Sequence, residues 1–322
     1  MKSLISTLLL SMVVFAAPVP VIFDTDMGND IDDALALALL HALESRGEAK
    51  LLAVTITKEN PWAAPYVDLV NKFYRRGEIP IGMARPGRTP KSSPMIERPA
   101  QRKNPDGSFV YKRSIDQGSN APDAVSVLRR ALQGQQDGSV VIVQVGFSTN
   151  LAKLLESPPD AELVRKKVRL LSLMAGAFPS GKPEFNVKED IHSARQLFEK
   201  WPTPIVASGY EIGNALLFPA VSIERDFNYA KDHPVAEAYR AYMKMPYDRP
   251  TWDLTSALYA VRPDRGYFAL SPTGRITVGS DGRTSFAASV EGRHRYLVLQ
   301  PDQKAKTLEA MVILASEPPR AQ

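Results

Sequence analysis

The sequence predicts an α/β fold, with one open, mostly parallel, twisted sheet, helices on both of its faces and a Rossmann-like core. The first observation behind this prediction is the alternation of short apolar, strand-like runs with longer runs of helical periodicity. The second is that polar residues directly follow several strand-like runs, as they do where the carboxyl ends of parallel strands form a ligand site. The chain has 322 residues, of which 44% are hydrophobic, so it can build a full core. Because no internal repeat or linker divides it, we predict one domain over residues 18–322.

Each element follows from a local pattern. Residues 19–23 form a short apolar run typical of a buried strand, and residues 34–40 alternate Ala and Leu, as in a helix buried on nearly all sides. The helical pattern returns between residues 235 and 261, and residues 267–299 resemble antiparallel hairpins with a turn at 280–282. Further strands are predicted at 50–57, 139–145, 168–174 and 204–207, and further helices at 66–76, 121–132, 150–156 and 191–200.

The first 17 residues are predicted to be a signal peptide. Lys2 precedes an apolar run over residues 4–17, and small residues mark a cleavage site near Ala16. This run is too short to cross a membrane comfortably, and no later stretch approaches the roughly 20 apolar residues that a spanning helix needs. We therefore expect a secreted or periplasmic protein without a membrane span.

Charge and composition narrow the function classes. The net charge is +5, but the basic residues are spread along the chain, which does not favour nucleic-acid binding. The absence of cysteine excludes disulfides and thiolate chemistry. The densest basic stretch, residues 85–113, is also rich in Pro, Ser and Asn. It is predicted to be a long irregular surface loop, which is either a lid over the site or a solvent-exposed loop without a functional role.

Residues 24–33 form an acidic turn between the first strand and the first helix, and they contain five aspartates. Five carboxylates in one short turn repel one another and lose hydration, so they persist most easily around a hard cation with oxygen ligands, Ca²⁺ or Mg²⁺. The alternative is a solvated loop in which Asp30 or Asp32 caps the helix. Polar residues that follow other strands are expected to line the same pocket, among them Asn60, Ser148, Thr149, Asn150, Glu184 and Asn186.

The acidic turn followed by Ala-Leu-Ala resembles the N-terminal signature of the inosine-uridine type nucleoside hydrolases. Members of this family cleave the N-glycosidic bond of ribonucleosides around a bound Ca²⁺, and they are usually dimers or tetramers. Further segments occur in the family's order: Val54-Thr55 through Asn60, Ile79-Pro80-Ile81, Gly146-Phe147-Ser148-Thr149-Asn150, Met174-Ala175-Gly176-Ala177, Pro183-Glu184-Phe185-Asn186 and Thr251-Trp252-Asp253. The resemblance thus extends over most of the mature chain.

The resemblance implies a set of roles. Asp26 would be both a metal ligand and the general base that activates water. Asp33 and Asp253 would be further metal carboxylates, and the main-chain carbonyl of Thr149 a neutral ligand. The ribose hydroxyls of a small nucleoside substrate would be held by Asp32, Asn60, Glu184 and Asn186.

Two departures from the family's pattern bear on these roles. The acidic turn is two residues longer than usual, so Asp30 competes with Asp32 or Asp33 for a role. We favour Asp32 and Asp33, because the buried helix begins directly after them.

Trp252 stands where many members have a histidine that protonates the departing base. An indole stacked on the base would assist its departure and favour purine nucleosides, whereas the alternative is that Trp252 is a core aromatic residue.

Two other functions remain open from the sequence. Asp24 and Asp26 after an apolar strand resemble the start of an aspartyl phosphatase site, but Gly28 stands where such a site has Thr or Val. The missing histidine and the longer turn also fit a protein that captures a nucleoside or ribosyl compound without turnover. The presence of the predicted base, Asp26, argues against the second alternative.

Overall fold

The computed structural model describes residues 17–179 and 181–320 and confirms the predicted class, a mostly parallel mixed sheet with helices on both faces. The strands are β1 (Val19–Thr25), β2 (Ala49–Lys58), β3 (Ile81–Arg88), β4 (Val140–Gln144), β5 (Val168–Met174), β6 (Ile205–Ser208), β7 (Leu217–Phe218), β8 (Arg249–Pro250), β9 (Ala269–Leu270), β10 (Gly274–Val278), β11 (Thr284–Ala288) and β12 (His294–Val298). The helices are α1 (Asp32–Ser45), α2 (Ala63–Phe73), α3 (Pro94–Gln101), α4 (Ala124–Gln133), α5 (Thr149–Leu155), α6 (Pro158–Lys167), α7 (Phe185–Glu189), α8 (Ile191–Lys200), α9 (Tyr210–Asn214), α10 (Ala220–Arg225), α11 (Pro234–Tyr242), α12 (Trp252–Val261) and α13 (Lys304–Ala315).

The strand order places the start of the chain in the middle of the sheet. The order is β11-β10-β12-β6-β5-β4-β1-β2-β3, with β9 paired to β12. The chain runs outward from β1 through β2 to β3, returns to β4 on the other side of β1, and then runs outward again through β5 and β6. The order therefore reverses between β1 and β4, which is where open α/β sheets form a crevice at the carboxyl ends of their strands.

Helix α1 is buried along most of its length, as its alternation of Ala and Leu predicts. It lies between the sheet and the helices α12 and α13. Successive residues of β1 point to opposite faces: Val21 and Phe23 pack in the apolar cluster that contains α1, and Ile22 packs in the cluster of the other face. The acidic turn is thus anchored between a strand and a helix that are both buried along most of their length.

The stretch over residues 85–113 is not the irregular loop that its composition predicts. It contains the end of β3 and the helix α3, in which Met95, Ile96 and Ala100 are buried. Helices α6 and α13 also have no counterpart among the predicted elements. The predicted hairpin is present as β10 and β11, with Gly282 in the turn at a φ of 79°.

The predicted signal peptide lies, apart from its last residue, outside the described residues. Within the part of the chain that the structure describes, no helix combines the length and the apolar character needed to cross a bilayer.

Candidate active site

The acidic turn leaves β1 at the centre of the sheet and is held tightly by the neighbouring main chain. A Cβ atom at Gly146, directly after β4, would lie 2.5 Å from the main-chain nitrogen of Asp26, so only glycine allows the two segments this close approach. Gly28 in the turn has a φ of 112°, a conformation that other residues rarely adopt. Local backbone requirements therefore fix where the carboxylates of the turn lie.

Three of the predicted carboxylates form a compact cluster. Asp32 and Asp33 open α1, Asp253 opens α12, and one carboxylate oxygen from each lies within 4.8 Å of the other two. The main-chain N–H of Asp253 donates to Oδ2 of Asp32 at 3.1 Å, which ties the two helix ends together. All three residues are at most 5% exposed.

The cluster fits a metal ion. Thr25 donates to one oxygen of Asp33, but Oδ2 of Asp33 is buried without a hydrogen-bond partner in the structure. A buried carboxylate oxygen without a donor is costly, and a cation beside it would supply the missing partner. An all-oxygen donor set is the kind that Ca²⁺, Mg²⁺ and Mn²⁺ prefer.

Burial and mutual repulsion disfavour the charged forms of these acids. Burial, followed by the nearby carboxylates, raises the pKa of Asp33 and Asp253 well above the usual range. Burial also raises the pKa of Asp26 to about 6, although a hydrogen bond from Asn29 opposes the shift. Burial raises the pKa of Asp24, which lies behind the cluster and accepts from Asn150 at 2.8 Å, to about 7. A bound cation would reverse this preference and keep the carboxylates ionised.

A cavity of about 670 Å³ opens over the cluster. This volume lies in the range typical of small-molecule sites. It is lined by twelve charged or amide side chains, which come from the acidic turn, from residues 182–188, from α9 and from residues 249–253: Asp26, Asn29, Asp30, Asp32, Asp33, Lys182, Glu184, Asn186, Lys188, Glu211, Arg249 and Asp253. The structure therefore brings most of the predicted site residues to one place.

Glu184 and Asn186 lie on the side of the cavity formed by β4 and β5. Glu184 caps α7 and accepts hydrogen bonds from the main-chain N–H groups of Gly176 at 3.0 Å and Asn186 at 2.8 Å. Burial nevertheless raises its pKa to about 7. The side-chain nitrogen of Asn186 donates to the carbonyls of Val145 at 2.7 Å and Met174 at 3.1 Å. Its Oδ1 is then the atom left to accept from a ligand.

Asp30 is committed to another partner. Both of its oxygens accept from Arg249, with Nε at 2.9 Å from Oδ1. The three-carboxylate cluster is formed without Asp30, by Asp32, Asp33 and Asp253. The roles assigned to Asp32 and Asp33 within the lengthened turn stay predictions.

Trp252 is a wall of the cavity and not a core aromatic residue. It is half-buried, and its ring stacks on that of Tyr210 with centroids 5.6 Å apart. The guanidinium of Arg249 lies 5.3 Å from the centre of the indole. The indole N–H donates to the main-chain carbonyl of Tyr210 at 2.9 Å, so this group is not free to protonate a leaving base. Phe185, which is 46% exposed, adds a further aromatic ring to the lining.

Four of the residues that were expected in the pocket do not line the cavity: Asn60, Ser148, Thr149 and Asn150. The side chain of Asn60 donates to the Lys91 carbonyl at 3.1 Å and accepts from the Trp62 N–H at 2.9 Å, so the expected ribose contact by Asn60 has no support in its position. The hydroxyl of Thr149 donates to Asp190 at 2.6 Å. The prediction for Thr149 concerns its main-chain carbonyl and stays a prediction.

Sequence reasoning did not single out Asn29, Arg249 or Tyr210 as site residues. Asn29 lies inside the acidic turn itself, which was the available signal for it. Arg249 and Tyr210 belong to segments without a distinctive pattern, and only the folded chain brings them to the cavity.

Fold and site together define the class of protein: an α/β enzyme with a small-molecule cavity above an aspartate cluster that could hold a metal. A family model described as inosine-uridine preferring nucleoside hydrolase matches residues 21–317. The chain belongs to this family, and it is accordingly an N-ribohydrolase.

The chain is also similar to individual proteins and solved structures. The chain is 31% identical over 217 residues to the pyrimidine-specific ribonucleoside hydrolase RihA of an Enterobacter species, covering 64% of each chain. It is 26% identical over 270 residues to an uncharacterised protein of Schizosaccharomyces pombe, covering 76% of this chain and 80% of that protein. Among solved structures, a plant nucleoside hydrolase has a TM-score of 0.70 at 22% identity, covering 94% of this chain and all of that one. A purine-preferring ribonucleoside hydrolase from Gardnerella vaginalis has a TM-score of 0.68 at 19% identity, covering 92% and 98%.

Proposed function

We propose that the protein hydrolyses the N-glycosidic bond of ribonucleosides, with a leaning toward purines, to release the free base and ribose with the help of Ca²⁺. The observation that carries the proposal is the cluster of Asp32, Asp33 and Asp253 under a cavity that Asp26 also lines. A carboxylate set that binds a cation and a further carboxylate that accepts a proton are what metal-assisted attack by water requires.

In this proposal Asp26, Asp33 and Asp253 hold the cation, together with the carbonyl of Thr149. The chemistry that Ca²⁺ would supply there is a lower pKa for a bound water molecule. Asp26 takes the proton from this water as it attacks. Its pKa of about 6 without a cation would be lowered by the neighbouring positive charge, so the base would be ionised at neutral pH.

The remaining acids serve the sugar. Asp32, Glu184 and Oδ1 of Asn186, which line the cavity, would accept hydrogen bonds from the ribose hydroxyls and so hold the ring in the orientation needed for attack. The transition state of glycoside cleavage resembles an oxocarbenium ion, and the surrounding carboxylates stabilise its positive charge. Asn60, which lies outside the cavity, has no place in this arrangement.

The leaning toward purines rests on the aromatic wall. Trp252, Tyr210 and Phe185 offer stacking surface to a large base, and stacking on an indole would favour the departure of that base. None of the histidines within the described residues lines the cavity, so the family's usual proton donor has no counterpart there. The relatives do not decide the question, since one is named pyrimidine-specific and another purine-preferring.

Three further statements belong to the proposal. Residues 1–17 would direct the chain to the periplasm or out of the cell, and the mature protein would have no membrane span. The substrate would be a small nucleoside and not a nucleic acid. The protein would form a homo-oligomer, a dimer or a tetramer.

The test is the release of base from inosine, adenosine, guanosine, uridine and cytidine, with added Ca²⁺ and with a chelator. We expect release that the chelator abolishes, fastest from the purine nucleosides, and its loss in Asp26→Asn. The matched control is Asp160→Asn, which removes a buried carboxylate that pairs with Arg129 at 2.7 Å away from the cavity. Tight binding of a nucleoside that stays intact would refute hydrolysis and indicate a binding protein.

A further inference from the structure

A chain of polar contacts leads from the end of β2 to the proposed general base. The ammonium group of Lys58 donates to Oδ1 of Asn29 at 2.8 Å, and Nδ2 of Asn29 donates to Oδ2 of Asp26 at 2.6 Å. Lys58 is only 2% exposed, and Asn29 lines the cavity. Neither residue belongs to the three-carboxylate cluster.

The lysine fixes the direction of the asparagine amide. An ammonium group can only donate, so it must face the oxygen of Asn29, which turns the nitrogen of the amide toward Asp26. The same nitrogen donates to the hydroxyl of Thr89 at 3.0 Å, and Lys58 also donates to the Thr89 carbonyl at 2.6 Å. The Asn29 amide is thus held from both ends and has one orientation.

We propose that Asn29 is a positioning residue that fixes the rotation of the Asp26 carboxylate, and that Lys58 acts through Asn29. The inference rests on the proposed function in taking Asp26 as the base. Within the described residues, Asn29 supplies the one side-chain hydrogen bond to Asp26. That bond to Oδ2 restricts the rotation of the carboxylate and so determines which way its two oxygens face.

The longer turn explains how Asn29 reaches this place. Within the acidic turn, the positive φ of Gly28 folds the chain back so that the Asn29 side chain points toward Asp26. The main chain contributes as well, since the N–H of Asn29 donates to the Asp26 carbonyl at 3.2 Å. Asn60, the asparagine expected at the ribose, is bound elsewhere, so the amide group beside the acids is supplied from within the turn.

The first test compares Asn29→Ala, Lys58→Met and the double variant, with Ser93→Ala as the matched control. Ser93 donates to the carbonyl of Gly28 in the same turn but does not contact Asp26. If the Asp26 carboxylate is no longer held in the orientation needed to take the proton, kcat should fall by about 10- to 100-fold while KM changes little. We expect this loss in Asn29→Ala, no further loss in the double variant because Lys58 acts through Asn29, and near-normal kcat in Ser93→Ala.

Equal losses in Asn29→Ala and Ser93→Ala would overturn the inference, because they would show only that the turn must be folded. An unchanged kcat in Asn29→Ala, or additive losses in the double variant, would also overturn it. A rise in KM without a fall in kcat would assign Asn29 to substrate binding instead.

Crystal structures of the unmodified protein, Asn29→Ala and Ser93→Ala provide the second test. The Asp26 carboxylate should rotate away from its position in Asn29→Ala and keep it in Ser93→Ala. An unmoved carboxylate in Asn29→Ala would overturn the inference. This measurement decides the positioning role even if the protein hydrolyses none of the nucleosides, so a failure of the proposed function is distinguishable from a failure of this inference.

Discussion

Replacing Asp253 by Asn should make the protein more stable without Ca²⁺ and less responsive to Ca²⁺. Asp253 is 5% exposed, and its carboxylate faces those of Asp32 and Asp33 at the N-terminus of α12. An amide in this position carries no charge and can donate a hydrogen bond to either neighbour. The substitution thus removes repulsion between carboxylates when Ca²⁺ is absent, and it removes a ligand of the ion when Ca²⁺ is bound.

The expected size follows from the distances. Two unit charges 4.8 Å apart repel by about 3.5 kcal/mol at an effective dielectric constant of about 20. Because the pKa of Asp253 is raised well above its usual range, partial protonation already relieves some of this repulsion. We therefore expect Asp253→Asn to raise the free energy of unfolding of the metal-free protein by about 2 kcal/mol, or the Tm by about 3 °C.

The assay is thermal unfolding at pH 7, followed by circular dichroism, with a chelator and with Ca²⁺ in excess. A ligand at about 100 times its Kd stabilises a protein by about 2.7 kcal/mol, so Ca²⁺ should raise the Tm of the unmodified protein clearly. This increase should be small or absent in Asp253→Asn. The control is Asp160→Asn, in which loss of the Arg129 pair should lower the Tm and leave the Ca²⁺ effect intact.

A lower Tm for metal-free Asp253→Asn would refute the reasoning, because it would mean that the carboxylate is favourably placed without a cation. An undiminished Ca²⁺ effect in this variant would show that Asp253 is not a ligand.

Three other perturbations test separate parts of the structure. Burial raises the folded-state pKa of Asp24 from 3.8 to about 7, so the folded protein binds more protons than the unfolded chain between these values. Asp24 should therefore contribute a fall in stability of about 2–3 kcal/mol between pH 5 and pH 7, and Glu184 and Asp26, whose pKa values are also raised, should add to it. Urea unfolding of the metal-free protein measures this fall, and its absence in the unmodified protein would contradict the burial of these acids. Arg249→Met leaves the carboxylate of Asp30 without its partner beside the other acids. We therefore expect a raised KM in steady-state kinetics and a lower Tm in calorimetry, and unchanged values would show that the pair is dispensable. Gly146→Ala places a Cβ against the main chain of Asp26. We expect the free energy of unfolding in denaturant titrations to fall by about 1–3 kcal/mol and base release to be lost. Full activity would show that the segment after β4 and the acidic turn can move apart.

Much of the fold was predictable because its central elements have simple patterns. Strands β1, β2, β4 and β5 are short apolar runs, and α1 is a run of Ala and Leu. Helix α3 was not predictable, because Pro94 and Pro99 within a basic, proline-rich stretch are typical of a loop and not of a helix. The pairing of β12 with β6 depends on contacts between residues almost 90 positions apart, which a local pattern cannot contain.

The site was predictable where it is local. Asp26, Asp32 and Asp33 lie in one short turn, Glu184 and Asn186 follow a predicted strand, and the resemblance to the family added Asp253. The position of Asn60 could not be foreseen, because it depends on the path of residues 89–97, which bind its side chain. The pairing of Asp30 with Arg249 joins residues 219 positions apart, and nothing in either local sequence indicates it.

The hydrogen bond between the Asp253 N–H and Asp32 joins residues 221 positions apart. A cation shared by these two helix ends would act as a removable cross-link between α1 and α12. Closing a loop of this length has a large entropic cost, and a cross-link of this kind lasts only while the ion stays bound. For an exported protein, the Ca²⁺ concentration of the surroundings would then help to determine how long the chain resists proteases.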